Sequence, residues 1–577
     1  MTTTRFGGTR LEGTQLPTQG PVGADGLLLH EGDHIAQLAL ALENLEHVLA
    51  AAGLAPTDLV ELRIRTTDRR LFDDASEVLA DRLAEHGICP TITIAEVSRL
   101  DQPGMTITVQ PVTARPIRSR HNTSHKGEMS MTIDFTRTSC PIHLPDDPGY
   151  DQARTPWAVQ VDQRPVAVAV PRTAAEVVEA VHAAIDAGLR IAPQSSGHGA
   201  SPFAAADLSD VMLVRLHELT GVTIDADRRI ARVLGGTLWQ SVVEAAAGYG
   251  LAARHGSSPD VAVAGYTLGG GLSWYARQHG LAAHHLTAVE IVLPDGRLVR
   301  ADAEHEPDLF WALKGGGGSF GIVTALEFEL LPIADAYAGM LLWPGDHAAE
   351  VAKTWAAWTR TAPDSATTSC RLMSFPPLPE LPPFLSGRKL VVVDGAVLES
   401  DDRAAEILAP LRALEPEMDT FARMPAAALT RIHMDPEGPT PSVSNSMMLS
   451  EIEPETIDAL LAVAGPESGS SVLAAEIRHL GGAVGRPADA AVSTLPGDYL
   501  GFFLAIAPFP EAAAIGLADA TRAVEALAPW GTGGRYLNFD DNVVEVAAAY
   551  EPQAWQRLLR IRAEVDPQRR MVANHGI

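Results

Sequence analysis

Cysteine is scarce in this sequence: Cys89, Cys140 and Cys370 are the three in 577 residues. They lie far apart, form no CxxC pair and make an odd number, which excludes a cysteine metal cage and a disulfide framework and leads us to expect a reducing, cytoplasmic setting. Positive charge is also short. Against 72 Asp+Glu stand 44 Lys+Arg, a formal net charge of −28, and a field of that sign repels phosphate backbones and anionic bilayers, so neither nucleic acid nor a membrane is an expected partner. No run approaches about 18 uninterrupted apolar residues, and the first thirty residues hold no apolar core of signal-peptide length. The remaining absences are motifs. Without HExxH or comparable spacing no metal is expected, without GxSxG no serine hydrolase, and without GxxxxGK[ST] or a GxGxxG directly after the first strand neither a P-loop nor a Rossmann nucleotide site.

What is present is length and periodicity. A chain of 577 residues suggests three or four units of roughly 100–200 residues each. AQLALALENLEHVLAAAG, Ala36 to Gly53, has the spacing of a helix ended by glycine. DLVELRIRTTD alternates as a strand, DDASEVLADRLAEHG as a helix, and TITIAEVSRL and MTITVQPV as two more strands. The basic, aperiodic ARPIRSRHNTSHKGEMS then reads as a linker. Beyond it PVAVAVP is a buried strand, TAAEVVEAVHAAIDAG opens on Thr173 and Glu176 as a capping box, and LRIAP is a second strand that runs into QSSGHGAS. HLTAVEIVLPDGRLVRA is a hairpin with a DG turn, and GSSPDVAVAGYTLGGGLSWYARQHGL reads as glycine-studded with little helix.

The segment QGPVGADGLLLHEGDHIAQLALALENLEHVLAAAGLAPTDLVELRIRTTD resembles the Rid family, small trimeric proteins whose enzymatic members hydrolyse enamines and imines. The resemblance covers about residues 18–112 and implies assembly into a homo-oligomer. The first fifteen residues do not look like the family's opening hairpin, and Ile92 stands where active members carry a carboxylate-binding arginine, so a truncated, degenerate domain without that activity is expected.

Three Gly- and Ser-rich loops within one later domain, QSSGHGAS, GYTLGGG and KGGGGSFG, give up side-chain packing and backbone entropy. Close approach to a flat or phosphorylated ligand would offset that, since backbone N–H groups form anion-binding concavities. From about Trp157 to Ile577 the chain resembles the berberine bridge enzyme-like branch of the vanillyl-alcohol oxidase/p-cresol methylhydroxylase flavoproteins. The resemblance implies FAD bonded covalently through His198, in the loop Gln194-Ser195-Ser196-Gly197-His198-Gly199, with Gln194 where the family has arginine. Ser258 stands where some members place a second, cysteine link, so a single covalent bond is expected. Val261 falls where the family tunes oxygen access, and a valine there is similar to its oxidases. Gly265, Gly270 and Ile322 fall in flavin-binding segments; Tyr536 and Asn538 of RYLNFDD match a YxN signature, and Asn574 a closing NxNI segment.

For catalysis the resemblance places Glu476, in SSVLAAEIRHLGG, where berberine bridge enzyme has its glutamate base. Residues i and i+2 share a strand face, so Arg478 projects beside it; burial would raise the glutamate pKa and Arg478 would pull it back, or bind an anionic substrate. Tyr536 and Tyr499 are further candidates. His433, ahead of a Pro-rich loop, is a pocket candidate that by itself reads as a surface histidine before a turn.

The expected fold is α+β and multidomain: a Rid-like α+β domain (1–115), a linker and lead-in segment (116–149), a two-subdomain FAD-binding domain of the p-cresol methylhydroxylase type (150–332), an α+β substrate domain with an antiparallel sheet (333–525), and a C-terminal segment (526–577) completing the FAD domain. The expected function is an FAD-dependent oxidase passing hydride from a sugar, alcohol or natural product to flavin and then to oxygen. The alternatives are a dehydrogenase with another acceptor, a silent flavin-binding scaffold, and an enamine hydrolase acting through the N-terminal domain.

Overall fold

The computed structural model describes residues 138–377 and 382–577 continuously and, before them, chiefly 33–51, 59–68, 91–96 and 105–113. The chain divides into two compact units, Met1–Met131 and Thr132–Ile577.

In the first unit the helix His34–Ala51 lies on a five-stranded sheet ordered Thr4–Phe6, Thr91–Glu96, Leu59–Thr66, Ile107–Thr113, Thr14–Gln15. Asp33 caps the helix by accepting the Ala36 N–H at 3.0 Å. Leu38, Leu42, Leu45 and Leu49 recur at helical spacing and meet Leu62, Ile64, Ile94 and Val109 from the sheet. Ile92 packs against the same core. The first fifteen residues supply two short strands that pair not with each other, as in a hairpin, but with Thr91–Glu96 and Ile107–Thr113 at opposite edges of the sheet. Strands this short are created by their partners' ladders, with no periodicity of their own to reveal them. The linker 114–130, Cys89 and most of the segment DDASEVLADRLAEHG lie outside the described residues.

The second unit holds three sheets. The first is ordered Ile142–His143, Ala167–Ala169, Val211–Arg215, Arg190–Gln194, the last three strands parallel. Its helix, Ala174–Asp186, starts where Thr173 accepts the Glu176 N–H at 3.1 Å. The Glu176 carboxylate reaches the Arg172 N–H at 2.6 Å, one residue before the position a capping box uses, and Gly188 at φ +68° turns the chain out of the helix. The second sheet, antiparallel, is ordered Val222–Asp225, Ile230–Leu234, Ile322–Glu329, Leu286–Val292, Leu298–Asp302 and includes the DG hairpin. Between these strands the segment read as glycine-studded does form two short helices, Val263–Leu268 and Ala276–His279. The chain's end returns to the first sheet: Met571 bridges Ile191, and the Ile577 N–H donates to Ser319 Oγ at 3.1 Å.

The third sheet is antiparallel and has eight strands, in the order Met418–Asp419, Asp335–Pro344, Lys389–Val397, Ala366–Ser374, Ala474–His479, Tyr499–Ile506, Ser442–Leu449, with Ala422–Pro425 beside Asp335–Pro344. The two-residue period of a strand divides its side chains between two environments. Leu341, Trp343, Cys370, Leu372, Val393 and Ile477 join the core with the helices Ala348–Thr359, Asp401–Arg412, Pro454–Ala464 and Pro510–Leu527. Their neighbours Met340, Leu342, Arg371, Val392 and Glu476 instead line a cavity. Burial pushes the thiols of Cys140 and Cys370 up to about 12, so both act as small apolar groups.

Candidate functional site

A cavity of about 870 Å³ runs between the glycine-rich loops and the uncovered face of the eight-stranded sheet. Residues 194–199, Ser258, Val261, Gly265, Gly269 and Gly315–Gly318 line one side of it, together with Asn538 and Asn574. At Gly265 and Gly317, the latter at φ +66°, a Cβ would meet nothing within 4 Å, so bare backbone faces the open space. That is the cradle expected for a planar, pyrophosphate-bearing cofactor, and the residues present fit FAD. Gln194, where the resemblance has arginine, accepts hydrogen bonds from Gln163 Nε2 at 2.9 Å and from Arg215, its register partner on the adjacent strand. A guanidinium is therefore retained one strand away, buried, its pKa pulled down by that burial to about 10.

His198 is half-buried at the cavity wall and stacks on Trp157, ring centroids 4.0 Å apart and planes 16° apart. Its Nδ1 is 2.9 Å from Ser196 Oγ and its Nε2 3.4 Å from Asp260 Oδ1. Asp260 also accepts from Trp157 Nε1 at 2.6 Å and Ser258 Oγ at 2.8 Å. Burial works to raise the Asp260 pKa, but these hydrogen bonds outweigh it and hold the carboxyl well below the usual range. The imidazole is thus fixed in orientation beside a carboxylate able to take its proton, the arrangement of a nucleophile with its base. Asp260 escaped the sequence reading, although it stands two residues from Ser258.

Opposite the cradle the sheet gathers five charged groups. Glu476 and Arg478 leave the strand Ala474–His479 on one face, as i and i+2 must, and Arg478 Nε lies 2.7 Å from Glu476 Oε1. The guanidinium also sits over the Phe539 ring, 4.9 Å from its centroid. His433 is not a surface histidine: it is buried, with Nδ1 donating to Asp394 Oδ2 at 2.8 Å and Nε2 3.5 Å from Glu476 Oε1. The chain turns at Met434, φ +58°, which leaves His433 inside and Met434 outside. Arg371 closes the network, donating to Asp394 Oδ2 at 2.6 Å and to the His433 carbonyl at 2.9 Å. Burial alone would raise the Glu476 pKa, as the sequence suggested, but Arg478 and His433 outweigh it and the carboxylate stays ionised. Burial and Arg371 oppose charge on His433, yet Asp394, Glu476 and Asp435 lift it to about 9.

Four expected site residues do not line the cavity, Gly270, Tyr499, Tyr536 and Ile322. Tyr499 is in the helix-packed core, its hydroxyl 2.7 Å from Thr359 Oγ1. Tyr536 is buried among Leu272, Leu281 and Leu500, its hydroxyl 3.3 Å from Asn538 Nδ2; it backs Gly270 without lining the cavity. Ile322 packs into the core of the first sheet while Val323 lines the cavity. Ile322 is one alternation off the facing Val323, and Tyr536 precedes the short turn Leu537–Phe539 that does face the cavity; a motif match resolves neither. Among the described residues no cluster of His, Cys, Asp or Glu is arranged to hold a metal ion, and no helix is long and apolar enough to cross a membrane.

The network predicts a pH-dependent stability. His433 is raised from 6.5 to about 9, so its stabilising contribution is complete below its unfolded value and disappears as pH rises through the folded one. Asp394→Asn leaves Arg371 and His433 without their shared carboxylate, and breaking a buried pair costs about 3–5 kcal/mol. Thermal unfolding followed from about pH 6 to 10 should show the largest gap between variant and wild type at the acid end, narrowing above the folded His433 value.

Residues 165–302 match the FAD binding domain family and residues 11–114 the Endoribonuclease L-PSP family. Among curated relatives, glucooligosaccharide oxidase of Sarocladium strictum is 34% identical over 33% of this chain and 38% of its own length. The (R)-6-hydroxynicotine oxidase of Paenarthrobacter nicotinovorans is 33% identical over 35% of this chain and 44% of its own. The chain thus spans less than half the length of these relatives. Among solved structures, wild-type BBE-like 1 of Physcomitrella patens superposes with a TM-score of 0.67 at 19% identity, over 76% of this chain and 97% of that one. An Endoribonuclease L-PSP domain at 11–114 is therefore followed here by an FAD binding domain at 165–302, set in a fold shared with BBE-like proteins.

Proposed function

We propose that this protein is an FAD-dependent oxidase of a small organic molecule, with the cofactor bonded through His198 alone. The observation that carries the reading is that one cavity is walled on one side by the glycine cradle and His198 and on the other by ionised Glu476 beside Arg478. Bound FAD would supply a hydride acceptor that oxygen can reoxidise. The chain's own part is to hold the substrate, accept its proton at Glu476 and keep water out with Phe502, Phe539 and the sheet. Arg478 keeps Glu476 ionised at some expense of its basicity, and His433, itself protonated below its raised value of about 9, steadies that carboxylate as a second cation. Two curated relatives whose names are those of a sugar oxidase and a nicotine oxidase support the reaction class. The N-terminal unit fits an assembly role, since Ile92 offers its core an aliphatic side chain where a cation would be needed.

The test is anaerobic bleaching of the flavin across a panel of alcohols, sugars and amines, followed by air and a peroxide assay. Peroxide formed in proportion to substrate supports an oxidase; bleached flavin that persists in air and reduces a quinone makes the protein a dehydrogenase. Flavin that no substrate bleaches would make it a scaffold. Val261 lines the cavity, and Val261→Leu should slow reoxidation by oxygen while leaving anaerobic reduction unchanged, measured by stopped-flow absorbance.

A further inference from the structure

The cavity face of the eight-stranded sheet is divided along the strand direction. Residues opposite one another in an antiparallel ladder share a face, and the register aligns Leu342, Val392, Arg371, Glu476 and Phe502 across five strands. On one side of that row stand Asp394 and Arg478; on the other stand Met373, Ala474 and Leu504. Near the cradle the charged groups are paired as ions, and the polar atoms Glu476 Oε1, Arg478 Nε, Arg371 Nε and His198 Nε2, left without a hydrogen bond, all lie at this end of the cavity, where a single polar group can reach them. Away from it the lining passes to Leu342, Met373, Phe375, Leu385 and Ile506, most of which pack into one apolar cluster with Val392 and with Met340, the register partner of Asp394. Thr440 and Ser442 are the hydroxyl side chains lining this part of the cavity.

We propose that the molecule taken by this site has one polar end and an aromatic or branched-aliphatic body, and is not an oligosaccharide. A sugar ring displays a hydroxyl on nearly every carbon, and each one buried against thioether and aliphatic groups loses its water without gaining a partner. An apolar body loses nothing there, and flexible methionines adapt to its shape. The inference rests on the oxidase reading for the placement of the reacting end at Glu476, but the character of the wall is independent of it.

The test is isothermal titration calorimetry on the full-length, FAD-loaded protein without oxygen, with 4-phenyl-1-butanol and cellobiose as probes. The aryl alcohol should bind at least about tenfold more tightly than the disaccharide, the factor expected when even one buried hydroxyl stays unpaired. Met373→Gln and Phe375→Ala should each weaken the aryl alcohol several-fold and leave flavin content unchanged. Cellobiose binding as tightly as the alcohol overturns the proposal, as does alcohol binding that neither substitution alters. Heat of binding is read without flavin reduction, so an aryl alcohol that binds but never bleaches the flavin sustains this inference and removes the oxidase reading instead.

Discussion

His198→Ala should release the flavin: wild-type protein precipitated with acid should keep its yellow colour in the pellet, and the variant should lose it to the supernatant. The effect is close to all or none because no second attachment is expected, Ser258 being a hydroxyl already committed to Asp260. Trp157 and the glycine cradle remain in the variant, so FAD should still bind reversibly and leave on unfolding. Asp260 has a separable part in the same event. If the carboxylate takes the imidazole proton during attachment, Asp260→Asn should slow the appearance of acid-stable flavin in reconstituted apoprotein without lowering the final affinity for free FAD. Wild-type flavin that separates freely from denatured protein would falsify the covalent assignment for His198.

Glu476→Gln should depress anaerobic flavin reduction by about 10²–10⁴-fold, the usual contribution of a positioned proton acceptor. The amide keeps the shape of the side chain and removes both its basicity and its charge. The charge has a further effect that distinguishes this site from an isolated base: Arg478 and His433 both lean on Glu476, and a buried cation deprived of its partner is costly. A lower melting temperature is therefore expected alongside the lost rate. Arg478→Lys separates the two contributions, because a lysine retains charge without the planar fork. A Glu476→Gln enzyme reduced at the wild-type rate would remove this residue from the reaction.

Much of the site was legible where its chemistry is local. Gln194 to Gly199 follow a short strand, Glu476 and Arg478 are two residues apart on another, and no folding is needed to see that such pairs travel together. Arg371, Asp394 and Asp260 were invisible for the opposite reason. Arg371 and Asp394 belong to neighbouring strands of a sheet and become partners only through its register, which the sequence does not disclose. His433 was noticed and misread, since a turn-flanking histidine gives no sign of the strands it will be pressed against. Tyr536, from a signature, and Tyr499, from its neighbourhood, show another kind of gap: a segment can be identified without the direction in which its side chains turn. The short strands Thr4–Phe6 and Thr14–Gln15 are edge additions supplied by their neighbours' open hydrogen bonds.

The return of the C-terminus bears on when the cradle can be completed. Ile191 exchanges hydrogen bonds with the backbone of Arg570 and Val572, three residues before the histidine loop begins at Gln194. That edge therefore stays open while the eight-stranded sheet is synthesised and closes only once Arg570 to Val572 have been made. A sheet whose edge strand Arg190–Gln194 must await so distant a partner cannot finish folding in the N-to-C order in which a ribosome delivers it. The wall beside the histidine loop is thereby completed only after that segment has been made, and a nascent polypeptide stalled short of Arg570 would present the cradle with one flank missing.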